Sequence, residues 1–411
     1  MNIVFFAHFA GSPYHGMVFG HYCLAREWVR MGHNVTIIAA SFAHTRYKQP
    51  EISKREITTE DIDGIRYIWI PCPAYQGDST YGRGINILSF VLKTWTHRLP
   101  IEEADIIIAS SHYPLAIFPA HKMAKANQAK LIFEVRDLWP LTLIELGGIN
   151  KNHPFIMAMQ WAEDFAYRHA DYVVSVLDNA KEYMVQHGMK SNKFLHIPNG
   201  ADLSVELHQK KLPEALVKTI EKAKQKGGFL IGYAGRMGDA HLLDQLIYAV
   251  KNTERKDLFV FFLGDGYSRE KLQKKCRDHD LTNSIFFLGS VNKYQVKDFL
   301  QKMDALYLGL QSKPIFRYGI SPTKLNDYLL AAKPVICAVD ADVEAIKQSG
   351  AGIMCRSCES AEIMGAIETL RSMPSQTRKK MGEKGREWVQ RHLDYRILAK
   401  HFLEGIGCGS S

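Results

Sequence analysis

Short apolar runs alternate with longer amphipathic stretches along almost the whole chain, and this alternation constrains the fold more than any other feature. Runs of strand length occur at residues 3–9, 35–39, 130–134, 229–233 and 258–263. Strands that alternate with helices in this way form parallel sheets covered by helices on both faces. The pattern therefore predicts an α/β protein.

A polar segment at residues 200–228 separates two stretches of this alternation, and each stretch opens in the same way. In the first, a strand leads into the loop 10–16 and then into a helix. In the second, a strand leads into Gly235 and Arg236. Small residues at such junctions let a ligand approach the backbone where strands end and helices begin. Neither loop has the spacing G-x-G-x-x-G, so a dinucleotide fingerprint is absent.

The repeated opening predicts two Rossmann-like parallel-sheet domains. We expect the first domain to span residues 1–203 and the second to span residues 204–385. Residues 386–411 are expected to form a C-terminal helix that packs back on the first domain.

The composition is typical of a soluble globular protein, with 411 residues, 46% hydrophobic and 23% charged. No apolar run approaches the roughly 18 to 20 residues that cross a bilayer. Residues 1–6 lack the basic region of a secretory signal. These observations lead us to expect a cytoplasmic protein.

Basic residues outnumber acidic ones by 52 to 43, which gives a net charge of +9. Such a surface suits anionic small substrates, an anionic membrane or nucleic acid. Nucleic acid is the least supported partner because no basic run is interleaved with aromatic residues. The seven cysteines are scattered, and the pair Cys355 and Cys358 has no second pair with which to hold a metal.

Residues 317–339 read as a loop, a helix, a tight turn and a buried strand. Ser321 is a favourable N-cap and Pro322 a favourable first helical residue. Free N–H groups at such a helix start can bind a phosphate or diphosphate. Lys324 in the first turn opposes the helix dipole unless an anion lies nearby. Asp327 could then accept hydrogen bonds from a ribose, although a core-facing helix with one solvated lysine remains an alternative.

Two further loops of the second half could contribute to the same pocket. Arg236 follows a strand and could hold a diphosphate through two parallel hydrogen bonds, or it could be an ordinary surface arginine. Gly264, Asp265 and Gly266 follow another strand and form either a simple tight turn or one wall of a nucleotide pocket.

The first half places charged residues after two predicted strands. His112 follows one strand, and Glu134, Arg136 and Asp137 end or follow another. Charges at the end of a buried parallel strand are costly unless they are paired or used. A structural pair of Arg136 with Asp137 is one interpretation and a catalytic role the other. His112 could be a core histidine or a base.

Two other features allow more than one interpretation. The apolar stretch 83–98, with Trp95 and basic ends, could be a buried helix or could lie in a membrane interface. The Asp-x-Asp pairs at 61–63 and 340–342 have no supporting ligands, so we interpret them as turns or helix starts rather than metal sites.

Taken in order along nearly the whole chain, these segments resemble glycosyltransferase family 4. The loop 11–16 is similar to the family's glycine-rich first loop, and residues 197–202 are similar to its domain junction. Gly235 and Arg236 match the pair that holds the donor diphosphate. Residues 134–140 and 317–328 resemble bacterial enzymes that build O-antigen and capsule units, including N-acetyl-L-fucosamine transferases.

The resemblance implies a retaining enzyme of GT-B fold, with an acceptor-binding first domain and a nucleotide-sugar-binding second domain that face each other across a cleft. It implies transfer of a sugar, such as an N-acetylated amino sugar, from a UDP-sugar to a glycan or a polyprenyl-diphosphate-linked acceptor at the inner face of the plasma membrane. No metal or other cofactor, and no nucleic acid, is expected to take part.

The resemblance also implies roles for individual residues. The catalytic candidates are Arg236, Lys324, Asp137, Arg136 and His112. The donor-binding candidates are Gly16, Gly235, Arg236, Gly264, Asp265, Gly266, Ser321, Pro322, Thr323, Lys324, Leu325 and Asp327.

The sequence departs from the family pattern at four positions. Gly319 and Asp327 stand where two glutamates are usual, so the carboxylate near the transferred sugar is missing or supplied elsewhere. His241 replaces a lysine that usually follows the arginine, and Arg136 replaces the usual acceptor-side histidine. A UDP-sugar 2-epimerase and a non-catalytic sugar-nucleotide-binding protein therefore remain alternatives.

Overall fold

The computed structural model describes residues 1–16, 20–51, 56–76, 80–204, 210–253 and 255–409. The chain divides into two compact units. The first comprises Met1–Asn199 together with Tyr395–Ser411, and the second comprises Gly200–Asp394. The predicted fold class is confirmed, because each unit is built on a parallel sheet with helices between the strands.

The first unit contains an eight-stranded sheet with the strand order β3-β4-β2-β1-β5-β6-β7-β8. Neighbouring strands are parallel except β3 and β4, which form an antiparallel pair. The strands are β1 (Asn2–Phe6), β2 (Asn34–Ala40), β3 (Thr58–Ile62), β4 (Ile65–Ile70), β5 (Ile106–Ser111), β6 (Lys130–Val135), β7 (Tyr172–Ser175) and β8 (Phe194–His196). The α-helices of residues 1–199 are α1 (Gly20–Arg30), α2 (Thr80–Thr96), α3 (Ile117–Asn127), α4 (Leu141–Glu145), α5 (Pro154–His169) and α6 (Lys181–Gln186).

The second unit contains a six-stranded parallel sheet with the order β11-β10-β9-β12-β13-β14. Its strands are β9 (Phe229–Ala234), β10 (Leu258–Leu263), β11 (Ile285–Gly289), β12 (Ala305–Gly309), β13 (Val335–Ala338) and β14 (Gly352–Cys355). Its α-helices are α7 (Glu214–Gln225), α8 (Leu243–Lys251), α9 (Arg269–Asp278), α10 (Lys293–Lys302), α11 (Thr323–Leu330), α12 (Glu344–Ser349), α13 (Ser360–Ser372) and α14 (Ser375–His392).

The last helix, α15 (Tyr395–Gly405), belongs to the first unit. The indole Nε1 of Trp28 in α1 donates to the carbonyl of Ala399 at 2.9 Å, and Phe402 packs edge-on against the same indole. Trp28 and Phe402 are both fully buried, so α15 completes the hydrophobic core beside α1.

The unit boundaries differ from the predicted ones because α14 belongs to the second unit. Gly382 and Gly385 lie on the face of α14 that packs against this unit. A Cβ on Gly382 would lie 2.0 Å from the carbonyl oxygen of Ala332, and one on Gly385 would lie 2.8 Å from Leu329 Cδ2. This close approach keeps residues 386–394 with the second unit, so the segment that returns to the first unit is shorter than the predicted 386–411.

Candidate active site

The predicted glycine loops of the second unit meet at the carboxyl ends of β9 and β10. The N–H of Gly235 donates to Leu263 O at 2.9 Å, and the N–H of Met237 donates to Asp265 O at 2.8 Å. Gly264 has φ +129, and a Cβ there would lie 2.1 Å from the carbonyl oxygen of Gly235. Gly266 has φ +157, and a Cβ there would lie 2.2 Å from the carbonyl oxygen of Met237. The two loops therefore touch through backbone alone, which requires glycine.

Lys324 extends from the first turn of α11 to this pair of loops. Its Nζ donates to the phenolic oxygen of Tyr233 at 2.8 Å and lies 4.2 Å from the centre of that ring. A Cβ on Gly235 would lie 2.8 Å from Lys324 Cε, so the side chain runs directly against the glycine backbone. Tyr233 in turn donates to the carbonyl of Arg236 at 2.5 Å. One tyrosine thus fixes both Lys324 and the loop after β9.

The ammonium group of Lys324 is half-buried and has no carboxylate partner among the described residues. Burial lowers the pKa of Lys324 to about 7. The imidazole of His241 is nearby, and burial together with the Lys324 charge lowers its pKa to about 4. A cation that is desolvated and unpaired in this way is ready to bind an anion.

Arg236 is exposed, and its guanidinium carbon lies 6.0 Å from the centre of the Tyr267 ring. The phenolic oxygen of Tyr267 accepts a hydrogen bond from the N–H of Asp239 at 3.0 Å. The ring itself is 67% exposed. Sequence reasoning missed Tyr233 and Tyr267, although each directly adjoins a predicted glycine motif.

The start of α11 differs from the prediction. The helix begins at Thr323 with Pro322 in the capping position, and no side chain caps it, so Ser321 is not the N-cap. Thr323 is exposed, whereas Leu325 is a core residue that is 2% exposed and can offer a ligand only its backbone. The uncapped N–H groups and Lys324 therefore share one end of the helix.

The two predicted aspartates of the second unit differ in their contacts. Asp265 accepts hydrogen bonds from the N–H of Gly266 at 2.8 Å and from Arg269 at 3.3 Å, so it stabilises its own turn. Asp327 is exposed, and its carboxylate has no hydrogen-bond partner among the described residues. Of the two, Asp327 is the carboxylate available to a ligand.

The charged cluster of the first unit centres on Glu134, which is 3% exposed at the end of β6. His21 Nε2 lies 2.9 Å from Glu134 Oε2 and 2.7 Å from Ser110 Oγ. Arg136 Nη1 lies 3.4 Å from Glu134 Oε1, and its Nη2 donates to Asn199 Oδ1 at 2.5 Å. Although burial opposes ionisation, the charges of His21 and Arg136 hold the pKa of Glu134 well below its usual value.

The Arg136–Asp137 pair considered from the sequence is therefore wrong, because Arg136 pairs with Glu134 instead. The side chain of Asp137 keeps an exposed surface, yet the surrounding protein desolvates its carboxylate and raises its pKa to about 6 against the charge of Arg136. This carboxylate has no hydrogen-bond partner among the described residues. Asp137 is thus the carboxylate of this cluster that is suited to exchange a proton near neutral pH.

His112 packs within an aromatic group. Its ring stacks on Phe9 with centroids 5.4 Å apart and meets the His21 ring edge-on at 5.7 Å. Burial and the nearby His21 lower the pKa of His112 well below its usual value, so it is neutral at physiological pH. Gly16, also in the first unit, has φ +73 and ends the short 3₁₀ turn Pro13–His15.

The Asp-x-Asp pairs make internal hydrogen bonds. Asp63 accepts from the Tyr22 hydroxyl at 2.6 Å, and Asp340 accepts from the N–H and the hydroxyl of Ser357 at 2.8 and 2.7 Å. Within the described ranges, no group of three or more His, Cys, Asp or Glu side chains is arranged to hold a metal ion. Metal independence stays a prediction.

Two family models match the chain in succession. The Glycosyl transferase 4-like domain matches residues 16–200, and Glycosyl transferases group 1 matches residues 218–388. The putative colanic acid biosynthesis glycosyl transferase WcaI of Escherichia coli (strain K12) is 21% identical over 403 residues, which cover 92% of this chain and 93% of that protein.

Solved structures resemble the whole chain as well. Sucrose-phosphate synthase from Thermosynechococcus elongatus superposes with a TM-score of 0.72 at 13% identity and covers 98% of this chain and 97% of its own. Anabaena HepE in complex with UDP and glucose gives a TM-score of 0.64 at 15% identity and covers 98% and 99%. The fold and the two matched domains define a glycosyltransferase of the GT-B class.

The chain belongs to glycosyltransferase family 4, as the sequence resemblance predicted. The loops that the resemblance predicts at the donor site are those that the structure brings together around Lys324.

The contact between the two glycine loops leads to a testable prediction. We expect Gly264→Ala to destabilise the second unit by about 1–3 kcal/mol more than Gly289→Ala, because the added methyl group meets the Gly235 carbonyl. Gly289 is the matched control: it also has positive φ, +75, but nothing lies within 4 Å of its Cβ position. Thermal unfolding measures both variants, and equal losses would show that backbone strain alone explains the glycine.

Proposed function

We propose that this glycosyltransferase moves a sugar from a UDP-sugar to a glycan or lipid-linked acceptor, with retention of configuration, in the synthesis of a bacterial surface polysaccharide. The observation that carries the proposal is the unpaired, desolvated Lys324 beside Arg236 and the uncapped start of α11. The UDP and glucose bound to HepE and the colanic acid assignment of WcaI support the donor and the pathway.

The difficult step is departure of UDP from the sugar. As the bond between the anomeric carbon and the diphosphate oxygen breaks, negative charge grows on the diphosphate. Lys324, which is hydrogen-bonded to Tyr233, and the N–H groups at the start of α11 are fixed donors that stabilise this charge without reorganising. Arg236 adds a second positive charge beside them. Asp327 accepts hydrogen bonds from the ribose hydroxyls. These residues therefore act on the leaving group rather than on the sugar.

Retention follows when the acceptor oxygen attacks from the face that the diphosphate leaves. The new carbon–oxygen bond forms as the old one breaks, and the acceptor proton passes to the leaving diphosphate. This path needs no enzyme nucleophile, which is consistent with Gly319 where a glutamate is usual.

Incubation of the purified chain with a panel of UDP-sugars tests the reaction class. We expect release of UDP that depends on a glycan or lipid-linked acceptor and that falls by about 10²–10³-fold in Lys324→Ala, by analogy with loss of one oxyanion donor. A new UDP-sugar epimer formed without acceptor would instead indicate a 2-epimerase. Tight UDP binding with no turnover for any sugar would indicate a binding protein.

The pKa of Lys324 predicts how UDP binding depends on pH. Below pH 7 the free protein already carries the ammonium that the diphosphate needs. Above pH 7 the amine is neutral, and binding must take up a proton because the diphosphate raises the pKa of Lys324. We therefore expect the affinity for UDP to fall by up to about tenfold per pH unit above 7.

Calorimetric titration with UDP between pH 6.5 and 9 measures this dependence, and two buffers of different ionisation enthalpy count the protons taken up. Lys324→Arg should remove the slope, because arginine stays charged throughout this range. Lys274→Ala, which removes an exposed lysine of α9, should leave the pH dependence of UDP binding unchanged. A wild-type slope that survives in Lys324→Arg would assign the proton to another group.

We also propose that the protein contacts an anionic membrane through helix α2. Its outer face exposes five large apolar side chains at helical spacing: Tyr81 (81%), Ile85 (41%), Leu88 (53%), Leu92 (61%) and Trp95 (42%). The ammonium of Lys122 lies 5.3 Å from the centre of the Trp95 ring, which places a cation at one end of this stripe. An apolar stripe with aromatic ends and an adjacent cation suits the interface of an anionic bilayer. No helix in the described part of the chain is both long and apolar enough to cross a membrane.

Vesicle binding tests this surface. We expect the double variant Leu88→Ser, Leu92→Ser to bind vesicles of phosphatidylethanolamine and phosphatidylglycerol at least about tenfold more weakly, because each buried leucine contributes roughly 1.5–3 kcal/mol. UDP affinity should not change. Val185→Ser, at an isolated apolar residue of α6 that is 40% exposed, is the matched control. Equal binding by all three proteins would exclude α2 as the docking face.

A further inference from the structure

Arg46 buries its guanidinium at the carboxyl ends of neighbouring strands in the first unit, and only 5% of the residue is exposed. Its Nη2 donates to the carbonyl of Ala40, the last residue of β2, at 2.5 Å. Its Cζ lies 5.0 Å from the centre of the Trp69 ring in β4. The carboxyl ends of parallel strands are where open α/β sheets bind their ligands.

Two further donors of Arg46 are unsatisfied within the described part of the chain. Nε and Nη1 are buried and have no hydrogen-bond partner, and no carboxylate among the described residues pairs with the guanidinium. The neighbouring Thr45 also buries a hydroxyl without a partner. An unpaired buried cation is among the costliest arrangements a fold can hold, so its retention calls for a use.

The backbone around Arg46 is fixed before any ligand binds. The amide of Gln49 donates to Ala43 O at 2.8 Å and accepts from Ala43 N at 3.1 Å, and the N–H of Arg46 donates to the same carbonyl at 3.1 Å. The N–H of Tyr47 donates to His15 O at 3.0 Å, which ties this segment to the glycine-rich loop. The backbone that carries Arg46 is therefore held in place by hydrogen bonds within the unit.

Polar and aromatic contacts connect this position to the first-unit cluster. The Tyr75 hydroxyl lies 2.6 Å from His44 Nδ1, the His44 ring meets Phe9 edge-on at 5.9 Å, and Phe9 stacks on His112. Arg46 and the Glu134 cluster thus lie on the same edge of one sheet, at the ends of different strands.

Helix α2 also adjoins the segment that carries Arg46. The amide of Asn86 donates to Pro73 O at 2.8 Å and to Phe42 O at 3.4 Å. Lys93 donates to Pro71 O at 2.6 Å. The helix that exposes the apolar stripe is therefore bonded to the loops on both sides of the buried arginine.

We propose that Arg46 binds an oxyanion of the acceptor substrate, either a phosphate of a lipid diphosphate or the carboxylate of an acidic sugar. The inference rests on the proposed glycosyl transfer and specifies the acceptor class that the first unit accepts. The parallel N–H pairs of a guanidinium are Nε with Nη2 and Nη1 with Nη2, and each pair matches two oxygens of a phosphate or carboxylate. One hydrogen of Nη2 goes to Ala40, and its other hydrogen can complete such a pair with Nε or Nη1. The bound anion supplies the negative charge and the hydrogen-bond acceptors that the described residues do not provide.

The test is a calorimetric titration of the full chain saturated with UDP, so that the donor site is already occupied. Inorganic pyrophosphate and glucuronate are the two probes. We expect one of them to bind wild type at least about tenfold more tightly than Arg46→Met. Binding of pyrophosphate assigns a phosphate, and binding of glucuronate assigns a carboxylate. Arg66→Met, which removes an exposed arginine of β4, is the matched control and should bind like wild type.

Two further measurements separate a binding role from a structural one. Without anion, Arg46→Met should melt no lower than wild type, because it removes an unpaired buried charge; only wild type should be stabilised by the probe. Arg46→Lys keeps the charge but loses the parallel donors, and it should bind the probe more weakly than wild type.

The proposal is overturned if wild type binds neither probe, if Arg46→Met binds as tightly as wild type, or if Arg46→Met and Arg46→Lys both melt lower than wild type. Saturation with UDP is recorded before each titration, so a failure of the donor site is seen separately from a failure at Arg46.

Discussion

The contact between the Lys324 ammonium and the Tyr233 hydroxyl is the interaction on which the proposed donor site depends. It joins the start of α11 to the end of β9, and through the second hydrogen bond of Tyr233 it fixes the carbonyl of Arg236. The glycines follow from this contact, because a side chain at Gly235 would displace the lysine and one at Gly264 would separate the loops. The cation, the helix start and the loop therefore form one unit rather than three independent motifs.

The sequence predicts most of the residues that meet around Lys324, because each has a local signal. Glycines after strands, an arginine in such a loop and a lysine in a first helical turn can all be recognised without a fold. Tyr233 could not be, because its role depends on Lys324, which lies 91 positions further along the chain. The residue types predict Ser321 as the N-cap, whereas the helix begins after Pro322. The predicted end of the second unit, residue 385, differs from the observed one because Gly382 and Gly385 pack against residues that are distant in the sequence. A local sequence pattern does not show such contacts.

In the first unit, too, the contacts that sequence reasoning misses join residues far apart in the chain. The charges that end β6 predict a site, but the partner of Glu134 is His21, 113 positions earlier. A pair of Arg136 with Asp137 is one interpretation of the sequence, whereas Arg136 lies against Glu134 in the structure. Nothing local distinguishes Arg46 from other basic residues of a polar loop. Its importance arises only when strand order brings the ends of β2 and β4 together around it. Strand alternation predicted the sheets, and only the folded sheet shows which side chains its edge brings together.

A carboxylate partner distinguishes the cations that stabilise the fold from the cations that remain available to substrates. Arg136 is compensated by Glu134 and by the side-chain oxygen Oδ1 of Asn199, so its charge is already used within the first unit. Lys324 in the second unit and Arg46 in the first are desolvated and lack a carboxylate partner among the described residues. A fold selected for stability alone would pair or replace such groups. These two desolvated cations without a carboxylate partner in the described part of the chain are consistent with two proposed anions that arrive with the substrates: the donor diphosphate and an oxyanion of the acceptor.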